Sequence, residues 1–230
     1  MKAFRFLALA AIALAWVSCG PTRYTSAGVN LAAIDEYAFI EPLAYVTYYA
    51  RMNQGSYDAD LSRRAAATVE GVISSQRYPF SDVIEVNYDR ENSLRKWVEN
   101  LANVDAERAE SVRVPNKLEK LIADSGHRYG VVIYTLGFIQ SAEAREYERM
   151  QKSIRRAMDK VVEKITEKKV YSTDTYMSSP YGNAFYCAVI DSETGRIVHY
   201  SHVDPFFSSS PTDGSEVSYQ LRELLKDIVR

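Results

Sequence analysis

Cysteine and histidine are scarce in this chain, which has two cysteines and three histidines in 230 residues. His199 and His202 lie three positions apart on a predicted strand, so they would point to opposite faces and could not share a metal ion. The sequence also lacks a glycine-rich phosphate loop. We therefore predict a protein that holds no metal and no cofactor.

A block of basic residues is missing as well. The chain has 28 Lys and Arg against 30 Asp and Glu, for a formal net charge of −2. Loss of an amino-terminal leader that contains Lys2 and Arg5 would make the remainder more acidic. Such a chain lacks the positive charge that nucleic-acid binding requires, and we predict no nucleic-acid partner.

The first eighteen residues have the pattern of a secretory signal. Lys2 and Arg5 precede an apolar run from Phe6 to Val17, which is shorter than the roughly 20 apolar residues of a membrane-spanning helix. We predict a leader over residues 1–18.

Cys19 closes the sequence Trp16-Val17-Ser18-Cys19 and is followed by Gly20. This order resembles the lipobox of bacterial lipoproteins, which implies a Cys19 that carries acyl chains such as palmitate and anchors the protein to a membrane. In those lipoproteins, Gly instead of Asp after the cysteine implies the outer membrane, facing the periplasm. Two alternatives stay open: an ordinary signal-peptidase site and a short uncleaved anchor.

Downstream of the leader we predict three parts. Cys19 and a flexible tether occupy residues 19–33, which are small, polar and turn-prone, and a single domain occupies 34–230. Unpaired Cys187 lies in an apolar run and is predicted to be buried. The fold class is α/β (α+β), a mixed sheet of about five to six strands with helices packed on it. Strands are predicted at 37–49 with a break at Pro42, 83–88, 129–139, 170–177, 184–190 and 196–203, and helices at 61–75, 92–101, 115–126, 141–169 and 215–229.

The charged helix over 141–169 is the longest predicted element, and it precedes a carboxyl-terminal antiparallel meander. Its apolar residues recur at spacings of three and four: Tyr147, Met150, Ile154, Met158, Val161 and Ile165. This stripe could cover the domain's own sheet or bind a partner, and the pattern fits both.

Four stretches together resemble a known periplasmic α/β domain. They are Phe39-Ile40-Glu41-Pro42-Leu43, the 61–75 helix leading to VIEVNY, the strand after Gly126, and VIDSETGRIVHYSHVDP at 189–205. The order is similar to that in curli-secretion lipoproteins, in the amino-terminal domain of the Tol-system periplasmic protein, and in lipoprotein activators of penicillin-binding proteins. The resemblance implies a domain that binds other envelope proteins and catalyses nothing.

Two groups of residues would support an alternative, an envelope or peptidoglycan-acting hydrolase. Ser93 and Lys96 match the S-x-x-K motif of penicillin-binding proteins, but Glu193 precedes Thr194-Gly195, where that mechanism needs a basic residue. His202 and Asp204 would share a strand face with Tyr200, a pattern more typical of a half-exposed strand.

We therefore expect a non-catalytic protein-interaction or envelope-assembly factor. Its 17 tyrosines suit either a binding surface or an aromatic core. The expected partners are the membrane, through Cys19, and another envelope protein, and an oligomer is compatible with the sequence. The candidate interaction residues are Tyr147, Met150, Ile154, Tyr176, Tyr181, Tyr200 and His202.

Overall fold

The computed structural model describes residues 22–51, 54–166, 179–207 and 209–229, and these form a mixed sheet of eight strands with helices on both faces. The predicted α/β class is confirmed, whereas the predicted five to six strands are too few. The strands are β1 (Thr22–Thr25), β2 (Tyr37–Ile40), β3 (Leu43–Arg51), β4 (Gln54–Tyr57), β5 (Phe80–Ile84), β6 (Tyr129–Gln140), β7 (Tyr181–Asp191) and β8 (Arg196–Phe207). The helices are α1 (Ala59–Ser75), α2 (Asn92–Asn100), α3 (Asn116–Asp124), α4 (Ala142–Thr166) and α5 (Gly214–Leu224), with short 3-10 helices at Leu31–Ala33, Leu101–Asn103 and Ala106–Ser111.

Strand β6 organises the sheet because it is long enough to pair with two strands along one edge. Its first half pairs in parallel with β2, and its second half pairs in parallel with β3. The extended segment is interrupted between β2 and β3 at Pro42, as predicted, because proline has no N–H to donate to the ladder. Along its other edge β6 pairs with β7, followed by β8 and β1.

Each face of the sheet has its own hydrophobic core. One core places Val72 of α1 and Leu221 of α5 against alternate residues of β6 and β7, such as Ile133 and Cys187. The other places α2, α3 and two of the 3-10 helices against the intervening residues, including Val132. Cys187 is fully buried, and burial raises the pKa of its thiol to about 12.

Two strands lie where the sequence analysis predicted none. Residues 22–25, predicted as part of the tether, form β1 and pair with β8 from Thr22 opposite His202 to Thr25 opposite His199. Strand β4 pairs with β3 although its four residues are exposed. Backbone pairing stabilises both strands, so neither needs the apolar alternation on which the prediction relied.

Other bounds differ more modestly from the predictions. Strand β5 ends at Ile84, and Val86 and Tyr88 are buried beyond it, so the predicted strand 83–88 is shifted. The β7–β8 hairpin is confirmed, with Gly195 at φ +64° in its turn. Helix α5 ends at Leu224, before the predicted 229. The predicted strand 170–177 lies outside the described residues.

Within the described part of the chain, the structure has no helix that is both long and apolar enough to cross a membrane.

Candidate functional site

The serine and lysine of the S-x-x-K sequence lie on the outside of the molecule. Ser93 and Lys96 are exposed on α2, whose buried side carries Leu94 and Val98. A nucleophilic serine needs a base within hydrogen-bonding reach and a site that excludes water. Their exposure therefore gives no support to a hydrolase centred on Ser93.

The predicted row of Tyr200, His202 and Asp204 is divided between the interior and the surface. Tyr200 is fully buried and donates a 2.7 Å hydrogen bond from its hydroxyl to the carbonyl oxygen of Leu101, so it is a core residue and not part of an interaction surface. His202 is half-buried, with its Nε2 3.5 Å from Oδ1 of the exposed Asp204. The His202 ring lies 5.9 Å from the rings of Tyr186 and Tyr200.

His199 lies on the opposite face of β8 and is fully buried. Its Nδ1 is 2.8 Å from the hydroxyl oxygen of Thr25 on β1. Burial lowers the pKa of His199 to about 4, so the ring is neutral near pH 7. The two histidines therefore face apart, as their spacing predicted.

The first four residues of the apolar stripe of α4 face solvent, and the side chains of Val161 and Ile165 lie outside the described part. Tyr147, Met150, Ile154 and Met158 are between 46% and 63% exposed. We call these four residues the helix stripe. The helix contacts its own domain by a different side, on which Ala144 is buried. Of the other predicted interaction residues, Tyr181 opens β7 opposite Ile139, and Tyr176 lies outside the described residues.

A second, partly exposed surface that is mainly apolar lies on the sheet, beyond the part that α2 and α3 cover. It is formed by side chains from β3, β4, β6, β7 and β8 that share one face, and we call it the aromatic sheet face: Tyr45, Tyr57, Leu136, Phe138, Tyr186 and His202.

On this face of β6, the side chains become exposed to solvent after Tyr134. Tyr134 is 3% exposed, whereas Leu136, two residues further on the same face, is 38% exposed. The rings contact one another: Tyr45 and Tyr57 lie 4.8 Å apart, and Tyr134 and Tyr186 lie 5.9 Å apart. Such contacts hold the rings in place, so the surface is preorganised.

Sequence reasoning missed most of this surface. The β6 run is apolar on both faces, which predicts a strand covered on both sides. Both faces of β6 are covered from Val131 to Tyr134, but Leu136 and Phe138 are at least partly exposed. The excess of tyrosine was the available signal, but it cannot say which rings are covered.

A cleft of about 370 Å³ opens where the chain leaves β2 at Glu41 and Pro42. Burial raises the pKa of Glu41, which accepts a 2.6 Å hydrogen bond from the Val86 N–H. Arg95, also at the cleft, pairs with Glu99 at 2.9 Å and stacks over the ring of Tyr57. The charges are largely satisfied within the chain: Arg95 connects α2 to β4, and Glu41 connects the junction of β2 and β3 to the segment after β5.

No protein-family model matches the sequence. The search of curated proteins also gives no match. Among determined structures, the chain is similar to a PelC dodecamer from Paraburkholderia phytofirmans that carries a single Leu-to-Met substitution, with 11% identity over 91% of this chain and 98% of that one, at a TM-score of 0.38. A second PelC dodecamer structure from the same organism also has 11% identity, over 91% and 97%, at 0.39. The LpoB C-terminal domain from Salmonella enterica has 12% identity over 80% and 88%, at 0.31.

Proposed function

We propose that this protein is a lipid-anchored, non-catalytic factor of the bacterial outer membrane, facing the periplasm, which binds another envelope protein through the helix stripe. The observation that carries the proposal is the exposure of four large apolar side chains along one line of α4.

The spacing of the helix stripe keeps it on one side of the helix. Its residues are separated by three, four and four positions, an 11-residue repeat of about 3.67 residues per turn that almost matches the α-helix. The four side chains therefore form a straight line. A contiguous apolar surface of this kind typically marks a contact site.

The chemistry of the helix stripe suits a protein partner. Tyrosine and methionine are enriched in protein interfaces, and the flexible thioethers of Met150 and Met158 can adapt to an irregular surface. The charged remainder of the helix keeps the free protein soluble.

The membrane anchor in this proposal rests on the sequence around Cys19, which lies outside the described residues. An apolar leader, Ser18 before the cysteine and Gly20 after it support acylation and outer-membrane sorting. A Cys19→Ala variant tests this part separately. It is expected to leave the membrane fraction, and an unchanged distribution would contradict the anchor.

Site-specific crosslinking in intact envelopes tests the binding surface. A photoreactive residue replaces Ile154 in one variant and Arg149 in a matched control, because Arg149 is exposed on the same helix about 140° around from Ile154. We expect an adduct with another envelope protein from position 154 and none from 149. Equal adducts from both positions, none from 154, or an adduct with only a second copy of this chain would contradict the proposal.

A further inference from the structure

We infer that the aromatic sheet face docks on the lipid surface of the membrane, with its rings at the level of the headgroups. The inference rests on the acylation of Cys19 in the proposed function and adds the orientation of the domain. It assigns the helix stripe and the aromatic sheet face to different partners, a protein and the bilayer.

The pairing of the strands places the start of β1 beside this surface. Tyr134, Tyr186, His202 and Thr22 lie opposite one another in turn on β6, β7, β8 and β1, so they form one row across the sheet. Opposed residues share a face of a sheet. Thr22 therefore lies at the end of the row that contains Tyr186 and His202 of the aromatic sheet face.

The length of chain between Cys19 and Thr22 limits how far the surface can lie from the bilayer. Three residues span at most about 11 Å when fully extended. Strands lie about 4.8 Å apart, so β6 is about 15 Å from β1 across the row. With acyl chains on Cys19, the aromatic sheet face is held within a few tens of ångströms of the headgroups.

The orientation of β1 in the sheet also relates the amino-terminal end of this strand to the exposed residues of β6. Strand β1 is antiparallel to β8, and its first residue, Thr22, pairs near the middle of β8 at His202. The amino-terminal end of β1 therefore points toward the end of the sheet at which β8 continues to Asp204 and β6 carries Leu136 and Phe138. This is the end of the sheet that carries the exposed apolar residues.

The chemistry of the surface suits the membrane interface. Tyrosine concentrates at the headgroup level because its ring is apolar and its hydroxyl is polar. Tyr57 is 41% exposed and Leu136 is 38% exposed, which makes their apolar area available to lipid. The charged groups beside the surface have opposite signs, with Asp204 next to His202 and Arg95 over the ring of Tyr57, so binding should depend mainly on apolar contact and little on salt.

An environment-sensitive fluorophore on the acylated full chain tests the inference. The chain is purified from membranes and reconstituted in vesicles of phosphatidylethanolamine and phosphatidylglycerol. The dye is attached to Leu136→Cys, or in the control to Ala67→Cys, which is exposed on α1 over the other face of the sheet. Cys187 is fully buried and is not expected to react. We expect a blue shift and quenching by lipid-borne quenchers at position 136 only, unchanged in high salt.

The outcomes separate this inference from the proposed function. If the purified wild-type chain carries no acyl group, the proposed anchor fails and the inference falls with it. If the acylated chain floats with the vesicles but the dye at 136 reports water, the inference is wrong and the anchor stands. If the dye at position 136 is shielded from water in native envelopes but not in vesicles that contain this chain alone, the surface would be assigned to a protein partner. That result would also overturn the inference. As a second variant, Leu136→Thr should reduce the quenching of a dye at Tyr57→Cys.

Discussion

Arg128 binds both carboxylate oxygens of Asp191, with Nε 3.1 Å from Oδ1 and Nη2 2.8 Å from Oδ2. Asp191 also accepts a 3.0 Å hydrogen bond from the Glu193 N–H. Burial alone would raise the pKa of Asp191, but the hydrogen bonds from Arg128 and Glu193 outweigh it and hold that pKa below its usual range. The pair joins the start of β6 to the turn that follows β7.

We expect Asp191→Asn to reduce the free energy of unfolding by about 1–2 kcal/mol, because Arg128 is partly exposed and solvent weakens the pair. A depressed pKa in the folded state means that the carboxylate stabilises the fold above about pH 4 and that this stabilisation is lost as the pH falls further. Urea unfolding at several pH values measures both effects. Glu193→Gln, at an exposed position, should change little, and an equal loss in the two variants would contradict the assignment.

His199 should give a separate pH dependence at less acidic values. Its pKa of about 4 in the folded chain lies below the 6.5 of a free histidine, so the neutral ring stabilises the fold above about pH 6.5. As the pH falls from there to 4, we expect a loss of up to about 3 kcal/mol. His199→Gln should remove this slope when stability is followed by circular dichroism. A slope that persists in the variant would assign the effect to another group.

Two glycines should respond to alanine in opposite directions. A Cβ atom at Gly130 would lie 2.5 Å from two side-chain carbons of Ile122 on α3, so Gly130→Ala should destabilise the chain by about 1–3 kcal/mol. At Gly71, in α1, a Cβ would meet nothing within 4 Å, and Gly71→Ala should stabilise by about 0.5–1 kcal/mol. Thermal unfolding measures both, and a stabilised Gly130→Ala variant would show that α3 packs less closely on β6.

Removing the hydroxyl of Tyr200 should weaken the core without changing the surface. Tyr200→Phe leaves the carbonyl oxygen of Leu101 without its 2.7 Å hydrogen bond, at a cost of about 1–3 kcal/mol in unfolding free energy. Vesicle binding and crosslinking from position 154 should be unchanged. A variant as stable as the wild type would argue against this buried contact.

The sequence predicted those elements that carry a local signal, such as a helical period, a continuous apolar run or a turn. The buried side of α1, the central strand β6 and the β7–β8 hairpin were found because packing and turn chemistry are local signals. Strand β1 was missed because it pairs with a strand far away in the sequence, and β4 because its own residues are exposed and lack an apolar alternation.

The two exposed apolar surfaces were predictable only in part. The helix stripe was visible as a period along α4, although the period alone could not say whether it packs inward. The tyrosines cannot be assigned from sequence either. Tyr200 is fully buried and Tyr57 is exposed, although both lie on strands. Which tyrosine is covered depends on where α2 and α3 end over the sheet, and no local pattern encodes that.

The pairing of β1 with β8 also sets an order of events for the growing chain. Thr25 and His199, which are in contact, are separated by 174 positions, so β1 has no strand to join until most of the chain has been made. Closing so long a loop is slow, and β1 should be among the last strands to dock. Until then residues 22–25 lack their partner strand, so the acylation of Cys19 that we propose can precede the closure of this edge of the sheet.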